Sequence, residues 1–188
     1  MSRTKVKANL IDASFGNILE QIVYIADGRT VTTSQGNITV PNVTTSQLMN
    51  TSTAAEANGS SIAYTPPTGA SYVHYEYLGQ TGYSSGTKQA PVWYVDLNGT
   101  LINATRKALL QQDTYEQQVR ADAVIRITGG SDDIANMAVG SWTSNKTIRV
   151  MMSAASASYP FNLNYIYHGP GTNWQLVVPP LIKVTAYS

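Results

Sequence analysis

Gly82-Tyr83-Ser84-Ser85-Gly86 fits the Gly-x-Ser-x-Gly pattern of a nucleophile elbow, and Asp132 and His168 follow it in the Ser, Asp, His order of a hydrolase triad. An elbow needs a strand before the serine and a helix directly after it. Here Thr87-Lys88-Gln89-Ala90-Pro91 leads into a second β-rich run and the chain shows no βα alternation, so a Gly/Ser hairpin loop is the favoured reading. His74 and His168 are the only imidazoles and Cys is absent. A zinc site would need both histidines plus carboxylates, but His74 alternates within an apolar run and His168 sits beside Gly169-Pro170, as structural histidines do. Asp132-Asp133 lacks the spacing of a calcium loop and reads as a turn. The acids Glu76, Asp96, Asp113, Glu116 and Asp122 would make a glycosidase pair only if the fold brought two of them within about 5 to 10 Å. No catalytic residue, cofactor or metal is expected, and the chain reads as a protein that is not an enzyme.

The composition points the same way. Twelve Lys and Arg and eleven Asp and Glu make up 12% of the 188 residues, with a net charge of +1, about half the usual charged fraction. Ser, Thr and Asn fill about a quarter of the chain. A surface of hydroxyls and amides, with few charges to keep copies apart, suits a chain packed against other chains. The near-neutral balance supplies no basic field for nucleic acid. Neither a membrane-length apolar stretch nor a signal peptide is visible, so no membrane partner is expected, and synthesis in a cytosol is. Seven Asn-x-Ser/Thr triplets, at Asn37, Asn42, Asn50, Asn58, Asn98, Asn103 and Asn145, are what this composition produces by chance.

The elements that must position these residues read as short strands. Alternating apolar runs recur every ten to fifteen residues, over 22–25, 30–34, 38–40, 61–64, 72–78, 92–97, 100–102, 123–128, 146–152, 162–168 and 181–186, with Gly, Pro and Asn between them. That pattern predicts an all-β fold, an antiparallel β-sandwich of roughly nine strands. Asn98-Gly99, between two β-prone runs, predicts a type I′ hairpin. Residues 106–119 are rich in helix formers but keep no 3.6-residue period, and lean to strand or loop.

Residues 1–20 read as an N-terminal arm and 21–188 as the sandwich domain. Arg3, Lys5 and Lys7, with the apolar Phe15, Ile18 and Leu19, are the candidate docking residues on a neighbour. A frayed terminus is the alternative reading. Twelve Tyr and three Trp against two Phe favour half-wet contact surfaces. Tyr83, Ser84, Ser85 and Lys88 form the candidate ligand loop, whereas Trp93 is expected in the core.

Several phrases are similar to a group of virion structural proteins of tailed phages, cyanophages above all: Asp12-Ala13-Ser14-Phe15-Gly16-Asn17-Ile18-Leu19-Glu20, Asp27-Gly28-Arg29-Thr30-Val31, and Gly59-Ser60-x-Ile62-x-Tyr64-x-Pro66-Pro67-x-Gly69. In the second half they are Ser141-Trp142-Thr143-Ser144-Asn145-Lys146-Thr147-Ile148, Leu163-Asn164-Tyr165-Ile166-Tyr167-His168, and Pro180-Leu181-Ile182-Lys183-Val184-Thr185-Ala186. The stretch 80–122 lies outside the resemblance. The resemblance implies a jelly-roll-like sandwich, assembled as a homotrimer in the host cytoplasm and carried on the virion. It also implies partners among other virion proteins, such as the major capsid protein or tail components. Two roles compete: a capsid decoration or cement protein, and a tail-fibre or spike tip that binds a host surface polysaccharide. The short length, without coiled-coil heptads or a repeat, favours decoration.

Overall fold

In the computed structural model, which describes residues 16–83, 88–109, 116–168 and 174–188, the local rule is plainest at Asn98-Gly99. Their φ angles are +52° and +90°, the pair of positive values that a type I′ turn requires. The turn joins two strands, β8 (Pro91–Leu97) and β9 (Thr100–Ala108). The Asp96 carboxylate accepts the Gly99 N–H at 3.1 Å and Arg149 Nε–H at 2.9 Å, which ties the turn to the neighbouring strand, β12 (Lys146–Ala154).

Two sheets form around this hairpin. In the smaller, β12 pairs with β8 on one side and with the short strands β5 (Ala55–Glu56) and β6 (Ile62–Tyr64) on the other. In the larger, the order is β1 (Ile18–Ile25), β16 (Leu181–Tyr187), β7 (Tyr72–Tyr83), β10 (Glu116–Ile127) and β11 (Ala138–Val139). The strand β13 (Phe161–Leu163) pairs with both β7 and β4 (Gln47–Met49). Two further ladders stand apart: β2 (Thr30–Thr33) with β3 (Gly36–Thr39), and β14 (Tyr165–His168) with β15 (Trp174–Val177).

Eight of these strands define the architecture. Numbered one to eight along the chain, β1, β6, β7, β8, β9, β10, β12 and β16 give sheet orders 1-8-3-6 and 2-7-4-5. Every connection but the β8–β9 hairpin crosses from one sheet to the other. That is the double Greek key of a jelly roll, so the all-β sandwich expected from the residues is the fold observed.

Alternation explains the core. The inward positions of β7 and β10 are Val73, Tyr75, Tyr77, Val119, Ala121, Ala123 and Ile125, and they face Trp93, Val95 and Leu97 of β8 with Ile148, Val150 and Met152 of β12. Large tyrosines on one strand sit opposite alanines on the next, which lets the layers interdigitate. Trp93 is buried and donates its Nε1–H to the Arg120 carbonyl at 3.0 Å, linking the edge of one sheet to the other. Trp142 donates to the Tyr64 carbonyl at 2.9 Å and packs edge-on against its ring.

Two boundaries differ from the expectation. The first strand starts at Ile18, so residues 18–20, assigned to the arm, pair within the sheet. Residues 106–119, read as strand or loop, hold the end of β9 and the start of β10, in agreement with that reading. Tyr83, expected on a loop, closes β7 opposite Phe161. Two- and three-residue strands such as β5 and β11 carry too little alternation to be seen in advance.

Candidate docking surface

The outward face of the larger sheet is built by register. From edge inward its rows are Ile25–Leu181–Leu78–Arg120, Val23–Lys183–Glu76–Asp122, Gln21–Thr185–His74–Val124 and Ile18–Tyr187–Tyr72–Arg126. Its β1 margin is apolar and open to solvent: Ile18 is 58%, Val23 54% and Ile25 45% exposed, with Leu19 and Leu181 close behind. A register shift between Ile18 and Glu20 leaves Leu19 without a partner across the ladder, as at a β-bulge. Glu20, in unbroken register with residues 21–25, faces inward by the ordinary alternation of the strand, and its carboxylate accepts the Tyr64 hydroxyl at 2.8 Å.

Beside this stripe lies a strip of ion pairs. Glu76 meets Arg120 at 2.9 Å and Lys183 at 2.7 Å, and Asp122 meets Lys107 of β9 at 2.6 Å. The His74 Nδ1 is 3.8 Å from Glu76. Burial is the largest influence on Glu76 and pushes its carboxyl up, but the hydrogen bond from Lys183 and the nearby cationic groups outweigh it and hold the group below the ordinary carboxylate range. Burial likewise holds His74 below the ordinary imidazole range, against the attraction of Glu76. Both shifts favour the same state, a neutral imidazole beside an ionised carboxylate.

Among the acids that were candidates for a glycosidase pair, Glu76 and Asp122 are the two that face each other across a ladder, a geometry that brings Cβ atoms to about 5 Å. Both are engaged by cations, Glu76 by Arg120 and Lys183 and Asp122 by Lys107. Asp96 is taken up by Arg149 and the turn, Glu116 opens β10 opposite Gly82, and Asp113 lies outside the described residues. Asp132 accepts the Gly140 N–H at 2.7 Å, and Asp133 accepts the Asn136 amide at 3.0 Å, as turn residues do. Among the described residues no three of His, Cys, Asp and Glu are arranged to hold a metal ion, and no helix is long and apolar enough to cross a membrane.

Of the candidate docking residues, Ile18 and Leu19 stand exposed on the β1 margin, while Arg3, Lys5, Lys7 and Phe15 lie outside the described residues. In the ligand loop, Lys88 is half-buried just before β8; Ser84, Ser85 and the side chain of Tyr83 are outside the described set, as are the side chains of His168 and Trp174. Val23, Ile25 and Leu181 escaped the sequence reading. Their signal was the run Ile22-Val23-Tyr24-Ile25, apolar on both faces of a strand whose outer face has no cover among the described residues.

Family models and curated proteins give no match to this chain. Among solved structures it is similar to the CBM36-1 domain of a multidomain xylanase from the hindgut metagenome of Trinervitermes trinervoides, at 8% identity and a TM-score of 0.34, over 88% of this chain and 96% of that domain.

Proposed function

We propose that this chain is a structural protein on the exterior of a tailed-phage virion, a capsid decoration or cement protein that grips its neighbours through the outward margin of β1 and β16. The observation that carries this reading is the exposed apolar stripe of Ile18, Leu19, Val23, Ile25 and Leu181. Exposed apolar side chains gathered along one margin of a sheet mark a site of protein contact, and the ionic strip beside them supplies a polar rim that fixes orientation. Two of the phrases that resemble phage virion proteins, Asp12 to Glu20 and Pro180 to Ala186, overlap the start of β1 and most of β16. The jelly roll serves viral capsid and lectin domains alike, so it fits the venue and leaves the role to the surface.

Gold labelling of this protein on intact particles should decorate the whole shell. Labelling confined to the tail would favour the receptor-binding alternative and end the cement assignment. The surface itself is tested by Val23→Glu combined with Ile25→Glu, which should abolish binding of purified protein to shells that lack it while the melting midpoint stays with the parent. Binding at parent level would show that another face makes the contact.

A further inference from the structure

The β1 margin has an open hydrogen-bonding edge as well as an apolar face. In an antiparallel ladder a residue turns its N–H and C=O to one side, and the next residue turns them to the other. Ala26, one step beyond the Ile25–Leu181 pair, donates its N–H to the Pro180 carbonyl at 3.0 Å. Counting back in twos, Tyr24, Ile22 and Glu20 also bond to β16, so Gln21, Val23 and Ile25 turn their backbone groups away from it. No described strand ladders to β1 on that side. The Ile25 carbonyl is taken up by the Asp27 N–H at 2.8 Å, which leaves the N–H groups of all three residues and the carbonyls of Gln21 and Val23 open among the described residues.

Edge strands are ordinarily kept apart by Lys, Pro, a bulge or shortness. The irregularity between Ile18 and Glu20 blunts one end of β1, but Gln21-Ile22-Val23-Tyr24-Ile25 keeps an unbroken register and contains no charge, Pro or Gly. A β-prone, uncharged run of this kind on an open edge is a template for strand addition.

A second copy fits this edge poorly. Antiparallel pairing of two β1 strands is two-fold, and the register that sets Val23 against Ile25 of the copy calls on the Ile25 carbonyl twice, once in each chain, where Asp27 already holds it. The registers to either side set Ile25 against Gln21 or Val23 against Asp27, apolar against polar. A segment of a different protein is free of that symmetry and ends its ladder at the Ile25 N–H.

We propose that the occupant is an extended segment of the shell protein, added as a strand along the open edge of β1. Its apolar side chains lie beside Val23 and Ile25 and an uncharged polar one beside Gln21. The inference rests on the proposed function for the identity of the partner, and adds that backbone hydrogen bonds from Gln21, Val23 and Ile25 hold it together with the apolar face.

Val23→Pro separates the two contributions. The ring keeps apolar surface on the face but removes an N–H that takes no part in the β16 ladder, a place where an edge strand tolerates Pro. Val23→Thr keeps both the N–H and the β-branched shape. With purified full-length protein and shells that lack it, Val23→Pro should weaken binding at least about tenfold and Val23→Thr less than about threefold. Hydrogen exchange on the parent decides where Val23→Pro melts below it. The Gln21, Val23 and Ile25 amides should exchange freely in the unbound protein and slow at least about tenfold on the shell, while those of Ile22 and Tyr24 stay slow in both. Parent-level binding by Val23→Pro, or edge amides that stay fast on the shell, would overturn strand addition and leave the apolar contact standing. A parent that does not bind shells would overturn both readings. Edge amides already slow in the unbound protein, and faster after about hundredfold dilution, would place a second copy on the edge and overturn the assignment to the shell.

Discussion

At Gly99 nothing stands within 4 Å of where a Cβ would be, yet its φ of +90° is one that L side chains rarely adopt. Gly79 is the reverse case, with an ordinary φ and no room: an added Cβ would stand 2.4 Å from the Tyr77 hydroxyl. Gly99→Val should therefore cost about 1–2 kcal/mol through backbone strain alone, lowering the thermal midpoint by several degrees, and Gly99→Asn should recover most of the loss because Asn tolerates the left-handed region. Equal melting of the Val and Asn variants would show that strain is not the cause. Gly79→Ala should cost about 1–3 kcal/mol by displacing the Tyr77 ring from the core. The Asn-Gly pair was legible in the sequence because a turn is a local event. The need for Gly79 was not, because it depends on a ring folding back onto its own strand.

The ionic strip carries a pH dependence whose direction follows from its two shifted groups. Both His74 and Glu76 are held below their ordinary values of 6.5 and 4.5, so the unfolded chain takes up each proton first and stability rises with pH. The contribution of His74 is present above pH 6.5 and lost as pH falls below it; that of Glu76 is lost as pH falls below 4.5. Denaturant melts at pH 7.5 and 5.5 should show the parent weaker at the lower pH, with a smaller difference for His74→Gln. An unchanged difference would assign the dependence to other groups.

Among the elements, legibility followed length. Most of the longer strands were visible, including the run that became β7, whose Val73, Tyr75 and Tyr77 are buried while Tyr72, His74 and Glu76 are half-buried, whereas β15 and the first half of β10 were not. Strand partners were not visible, because alternation says which face is buried and nothing about which strand lies alongside. The junction of β8 with β10 shows the consequence. Indole Nε1–H of Trp93 reaches the Arg120 carbonyl across the two sheets, a contact between residues that no local pattern relates. Trp93→Phe keeps most of the ring and removes the donor, so it should cost about 1–3 kcal/mol for a buried carbonyl left unpaired. The urea midpoint should fall with an unchanged slope, since the surface exposed on unfolding stays nearly the same. A midpoint equal to the parent's would mean the indole hydrogen bond adds no net stability.

For the whole molecule, the pairing of β1 with β16 brings the two ends of the described chain together, with the Ser188 N–H donated to the Asn17 carbonyl at 3.0 Å. This closure places the apolar stripe on an edge strand, where it is open to a neighbouring molecule. It also raises a choice between two uses of one surface. A trimer, expected from the sparse charge and the many tyrosines, needs a contact face of its own if β1 and β16 grip the shell. If the stripe grips the shell as proposed, mass photometry should give three chains for the parent and three for the variant carrying Val23→Glu and Ile25→Glu, because the subunit contact would then lie elsewhere. A parent that stays monomeric at micromolar concentration would remove the trimer. A trimeric parent whose variant falls to single chains would make the stripe the seam between subunits, and the grip on the shell would have to be sought on the opposite sheet, around Leu101 and the outward residues of β12.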